Sequence, residues 1–168
     1  MFSIIDLVVG AIGIRITRKY KKISEIPDVV FVKENLAFGG ITSYNQLSKF
    51  KIDFIIDLRL ECQDEIIDKK LFGYEKIGIP DGGIPTPAQI NQIEKIVKEK
   101  LKSKQSIFIH CNLGRGRATL VTLLFLLHEN IKLEDGLKMV KKRRFVYLNK
   151  NQFSFLININ KKINGLKS

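Results

Sequence analysis

The segment Ala118–Leu127, ATLVTLLFLL, constrains this chain more than any other. It carries no charge, and its apolar residues cover every side of a helix rather than one stripe. That rules out a surface helix and makes the segment the centre of a core. Directly before it, SIFIH (Ser106–His110) is a short β-branched and aromatic run that reads as a buried strand. Cysteine, glycine and arginine fill the gap between them. A buried strand turning tightly into a buried helix is a unit of α/β architecture.

The rest of the pattern agrees. DVVFVK and LAFGG read as short strands with a turn at Glu34-Asn35, and Ser43 caps a short helix ending near Phe50. IDFIIDLR is a nearly continuous apolar run, Ile52 to Leu58, suited to a strand covered on both faces, and YEKIGI is the next strand. In TPAQ, Thr86 takes the N-cap, Pro87 the first helical position and Gln89 the capping-box position, after which Ile90, Ile93, Val97 and Leu101 follow helical spacing. Two further helices are expected, from about Leu133 to Arg144 and from about Asn151 to Ile163. The fold class is α/β: a central mixed, mostly parallel sheet flanked by helices in three layers.

A length of 168 residues with no internal repeat suits one domain, expected over 27–168 and preceded by an arm over 1–26. That arm opens MFSIIDLVVGAIGI, too short to span a bilayer comfortably and interrupted by Asp6, and continues RITRKYKK. It reads either as a helix packed on the domain or as a membrane-surface anchor combining apolar burial with basic charge. The net charge of +12, from 29 basic and 17 acidic residues, favours anionic partners: phosphorylated protein, nucleic acid or lipid headgroups. Nucleic acid fits worst, because the aromatics do not interleave with the basic runs as stacking platforms would. The two cysteines, Cys62 and Cys111, and the lack of a signal-peptide pattern argue against a disulfide framework and secretion, so a cytoplasmic protein is expected. Cys62, in a polar stretch, reads as incidental.

The Cys111–Arg117 loop has the makings of an anion site. It leaves the C-terminal end of a strand and enters a helix N-terminus, where amides and helix dipole favour negative charge. Gly114 and Gly116 would permit positive φ and close backbone approach, so that the amides of the loop Asn112, Leu113, Gly114, Arg115 and Gly116 converge on a phosphate-sized anion. Arg117 could grip two oxygens at once, and the same field favours a thiolate at Cys111.

HCNLGRGR, His110–Arg117, resembles the H-C-x5-R signature of the cysteine-based protein tyrosine phosphatase superfamily. Its order of landmarks, NLAFGG, IIDLRLE, IPDGGIP, the cysteine loop and LNKNQFSFL, is similar to the small dual-specificity phosphatases of archaeal type. The resemblance implies Cys111 as nucleophile through a phosphocysteine, Arg117 as phosphate ligand and Asp81 as general acid and then base, with no metal or other cofactor. It also implies that His110 orients the loop, that Asp57 and Arg59 support it, and that Gln152 and Thr119 assist. Ala118 stands where the family usually has Ser or Thr, whose hydroxyl donates to the cysteine sulfur; Thr119, one place later, is the candidate substitute. His128 is read as a core or helix-end residue without chemistry. The reaction implied is phosphomonoester hydrolysis on phosphotyrosine and also phosphoserine or phosphothreonine proteins. Two alternatives stay open: a phospholipid or phosphoinositide phosphatase at a membrane surface, suggested by Arg115 and the KKRR run Lys141–Arg144, and a non-catalytic phosphate-binding pseudophosphatase suggested by Ala118.

Overall fold

The computed structural model describes residues 28–61 and 72–165. The arm expected over 1–26 and Cys62 lie outside the described residues. One sheet holds five strands: β1 (Val29–Lys33), β2 (Leu36–Gly39), β3 (Phe54–Arg59), β4 (Gly73–Ile79) and β5 (Ile107–His110), in the order β1-β2-β5-β3-β4. β1 and β2 form an antiparallel hairpin about Glu34-Asn35, and every other pairing is parallel. The sheet is therefore mixed and mostly parallel, as the apolar runs require.

The helices are α1 (Tyr44–Leu47), continued by a 3-10 turn at Ser48–Phe50, then α2 (Pro87–Lys102), α3 (Arg117–His128), α4 (Leu133–Lys141) and α5 (Lys150–Gly165). The period of two along the strands sorts the core into two clusters. Leu36, Phe38, Ile56, Leu58, Ile107 and Ile109 face α2, α3, α4 and α5. Ala37, Ile55 and Phe108 turn to the opposite face, where Leu47 of α1, Ile52 and Phe72 cover them. The third layer is thus a thin one among the described residues. Every residue from Arg117 to Leu127 is buried, so α3 is the central helix its composition demands.

Local signals hold where they are contiguous. The amide of Gln89 donates to Thr86 Oγ1 at 3.2 Å and that of Thr86 to Gln89 Oε1 at 2.9 Å, a complete capping box. Gln89 Nε2 also donates to the Gly78 carbonyl at 2.8 Å, which anchors the start of α2 to β4. By contrast α4 stops at Lys141 rather than Arg144. Arg144 is drawn out of helical register by partners far along the chain: its guanidinium pairs with Asp28 at 2.8 Å and donates to the Leu113 carbonyl at 2.7 Å. At its other end α3 finishes with His128 paired to Glu94 of α2, a helix-end contact with no link to the site.

The four parallel strands β2, β3, β4 and β5 share one C-terminal edge, and β5 lies between β2 and β3. The loop after β5 therefore opens at mid-sheet, the crevice position where α/β proteins bind ligands.

Candidate active site

The loop from Cys111 to Gly116 is held by its outward-facing carbonyls. Asn112 O accepts from the Ile41 amide at 3.1 Å, Leu113 O from Arg144 at 2.7 Å, Gly114 O from the Thr119 hydroxyl at 3.1 Å and Arg115 O from the Tyr147 amide at 3.0 Å. In a planar trans peptide the following N–H points opposite to the carbonyl. The amides of Leu113, Gly114, Arg115 and Gly116 are thereby turned away from this outer shell toward the cavity. The N-terminus of α3 adds its positive end at the same place.

Gly114 is indispensable to that geometry. Its φ is +65°, and a Cβ there would lie 2.2 Å from the carbonyl carbon of Gly39. Gly116 differs from expectation: its φ is −104°, and a Cβ would meet nothing closer than 3.6 Å. Only one of the two glycines supplies a left-handed residue, because the loop reverses at Gly114 and is already turning into α3 at Gly116.

Cys111, buried at the start of the loop, lines a cavity of about 160 Å³ together with Asp81, Arg115, Arg117, Tyr147 and Gln152. Arg117 is 1% exposed. Its two terminal nitrogens form a fork on the Glu61 carboxylate at 2.7 and 2.6 Å, and Nη1 also donates to the Ile79 carbonyl at 3.0 Å. Nη2 lies 3.2 Å from Asp81 Oδ1. Burial alone would lower the Arg117 pKa; the Glu61 hydrogen bonds, then the charges of Cys111 and Asp81, hold it above its ordinary value. The same fork brings the Glu61 carboxyl down to about 2 against its own partial desolvation. The Nε–H of Arg117 has no partner among the described residues. Glu61 is the residue that sequence reasoning missed. The one available signal was its place two positions after Arg59, at the end of a buried strand aimed at the site.

Asp81 sits on a tight turn, with the Gly83 amide donating to Pro80 O at 2.8 Å and Gly82 at φ +72°. Its side chain is 76% exposed, so a proton can reach it from solvent. The turn is gripped from α5: Asn149 Nδ2 donates to Gly82 O at 2.7 Å and Gln152 Nε2 to Gly83 O at 3.0 Å. The oxygens of these two amides are used differently. Asn149 Oδ1 accepts from the Gln152 amide at 2.9 Å and Gln152 Oε1 from the Asn149 amide at 3.2 Å, a reciprocal box that caps α5.

The remaining expected residues surround this centre. Asp57, fully buried, receives Arg59 Nε and Nη2 at 2.9 and 2.8 Å and the Tyr74 hydroxyl at 3.1 Å. Burial pushes the Asp57 pKa up, but the Arg59 hydrogen bonds and the His110 charge outweigh it and keep the carboxyl below its usual range. His110 faces Asp57 across β3 and β5, with Nε2 3.8 Å from Oδ1, and stacks on Phe108 at 5.4 Å. These residues brace the strand that leads into Cys111. Thr119 supports the loop in another way than expected. Its hydroxyl has one proton and donates it to Gly114 O, so that proton is not given to the Cys111 sulfur. Arg115 lies over the Phe145 ring at 5.0 Å, and burial, then the Arg144 charge, lowers its pKa despite Asp28. Arg144 itself is no part of a solvated basic face, since it ties Asp28 to the loop.

This fold and this cysteine loop define a class, and comparison with known proteins names it. The family model "dual specificity phosphatase, catalytic domain" matches residues 38–162, and the chain belongs to that family. A probable protein tyrosine phosphatase type IVA A of Dictyostelium discoideum is 33% identical over 124 residues, covering 70% of this chain and 73% of that protein. The chain spans 14%, 50% and 47% of the length of three other curated relatives that it matches. Among solved structures, Tk-PTP in the active form has a TM-score of 0.70 at 19% identity, covering 83% of this chain and 97% of that one. PTPMT1 in complex with PI(5)P has a TM-score of 0.72 at 16% identity, covering 84% and 99%. At such identities these two structures speak for the fold.

Proposed function

We propose that this chain is a phosphoric monoester hydrolase of the protein tyrosine and dual-specificity type, acting on phosphotyrosine and phosphoserine or phosphothreonine proteins through a phosphocysteine. Cys111 Sγ attacks phosphorus; the S–P bond forms as the ester P–O bond breaks, and the leaving oxygen takes the proton of Asp81. Water then bonds to phosphorus while giving a proton to Asp81, and the S–P electron pair returns to sulfur. The loop amides and Arg117 hold the phosphoryl oxygens throughout, and that preorganised field is the main source of rate. We place the activity inside the cell, because a thiolate nucleophile needs a compartment that keeps thiols reduced.

The observation that carries this reading is the loop whose Asn112, Leu113, Gly114 and Arg115 carbonyls are engaged from outside while Cys111, Arg117 and Asp81 meet at the cavity within. The test is phosphate release from an aryl phosphate and from phosphotyrosine and phosphoserine peptides. Cys111→Ser should abolish it. Asp81→Asn should slow the phosphoserine peptide by about 10²–10⁴ and the aryl phosphate, a better leaving group, by less. Since the Thr119 proton is engaged elsewhere, the second step should be the slow one, seen as a burst of phenol before steady turnover. Turnover surviving in Cys111→Ser would refute the mechanism.

A further inference from the structure

Among the described residues, four large apolar side chains are exposed: Ile41, Leu60, Ile84 and Phe145. Scattered singly over a surface such residues would need no explanation. Here each stands beside one loop of the candidate site. Ile41 follows β2, and its amide holds Asn112; Leu60 follows β3 and precedes Glu61; Ile84 follows the Asp81 turn; Phe145 lies under Arg115. All four therefore occupy the C-terminal edge of the parallel strands, distributed around the cavity mouth.

The charge at this edge is one-sided. Arg115 lines the cavity, and the exposed Lys141, Lys142 and Arg143 lead along the chain into Arg144 and Phe145. Among the described residues, the carboxylates at this edge are engaged: Glu61 and Asp81 with Arg117, Asp28 with Arg144. Asp28 also shows where the preceding sequence joins the domain. Its amide donates to Thr42 Oγ1, and Val29 pairs with Gly39, the last residue of β2, so Asp28 stands at this same edge. The sequence before it reads apolar and then basic, MFSIIDLVVGAIGI followed by RITRKYKK.

We propose that this edge docks on an anionic phospholipid surface, with Ile41, Leu60, Ile84 and Phe145 entering the interface and the cavity turned toward phosphomonoester headgroups. The inference rests on the phosphatase reading and names the place where that chemistry works. Apolar residues from four separate segments around one opening, with Arg115 among them, match a broad interface that is anionic outside and apolar beneath. A peptide chain would instead call for a strip along one side of the opening.

The test uses the full chain, sedimented with vesicles of phosphatidylcholine alone or of equimolar phosphatidylcholine and phosphatidylglycerol. Turnover of a soluble aryl phosphate is followed in parallel as the measure of an intact site. The protein should sediment with the anionic vesicles. The double variant Leu60→Ser/Ile84→Ser should lose about tenfold or more in partitioning with aryl phosphate turnover unchanged. Lys142→Glu/Arg143→Glu should abolish the preference for anionic vesicles. Wild-type protein that turns over aryl phosphate but stays in the supernatant would overturn the docking proposal, as would vesicle binding unaltered in both variants. A loss confined to soluble phosphotyrosine peptides would make this edge a protein-binding face and would equally overturn it. If the vesicles bind but Cys111-dependent turnover is missing, the phosphatase reading falls instead.

Discussion

Glu61 sets the working geometry of the site as much as any residue of the signature. A buried guanidinium rotates about several bonds, and the Glu61 fork removes that freedom, leaving the Nε–H without a partner among the described residues. Because the Glu61 carboxyl is held at about 2 against a usual 4.5, its contribution to stability is complete above pH 4.5 and is lost as pH falls through about 2. Glu61→Gln should therefore unfold at a lower temperature than the parent near neutral pH, with the gap closing in acid. The carboxylate is 39% exposed, so solvent screening brings the difference to the order of 1 kcal/mol. Thermal unfolding followed across that pH range checks it; a gap independent of pH would mean that the ion pair is not its source. The signature residues were legible because Cys111, Gly114 and Arg117 are neighbours whose chemistry is written in one loop. Glu61 was not, since in the sequence it is one more glutamate in a polar stretch, and its partner lies 56 positions away.

At the scale of elements, the first turn of α5 does two tasks with one pair of amides: their oxygens cap the helix and their N–H groups hold the Asp81 turn. These tasks can be separated chemically. Asn149→Asp keeps the capping oxygen and removes the donor to Gly82, so helix stability should change by no more than about 0.5 kcal/mol. Turnover should fall about tenfold for an alkyl phosphate, whose leaving group needs the proton, and much less for an aryl phosphate. Steady-state rates on the two substrates with a parallel melting curve give the answer; equal losses on both would show that the clamp does not act through Asp81. The contrast between α2 and α5 explains what a sequence discloses about elements. Thr86, Pro87 and Gln89 are contiguous and cap α2 by rules that need no other part of the chain. Gln152 was expected only to assist, because its second partner, the Gly83 carbonyl, comes from another loop. The end of α4 was misplaced by three residues for the same reason, Arg144 being committed to Asp28 and Leu113.

At the scale of the whole molecule the sheet and the charge act together. Continuous apolar runs made the strands readable, whereas the two core clusters and the order β1-β2-β5-β3-β4 depend on pairings between distant segments and appear only in three dimensions. That order matters because it puts β5 in the middle and opens the cysteine loop where the field of the chain can be felt. A net charge of +12, with Arg115 lining the cavity, should draw anionic substrates inward. The field decays over about 8 Å at physiological ionic strength, so salt should weaken the approach while leaving events inside the cavity nearly untouched. Raising ionic strength should therefore lower kcat/KM and leave kcat unchanged, with a steeper slope for a doubly than for a singly phosphorylated peptide. Initial rates measured against salt for the two peptides separate the explanations. A fall in kcat at constant KM would place the effect of salt on the loop and the Asp81 turn rather than on the charge of the molecule. Equal slopes would mean that only the reacting phosphate, held by Arg117 and the loop amides, feels the protein's charge.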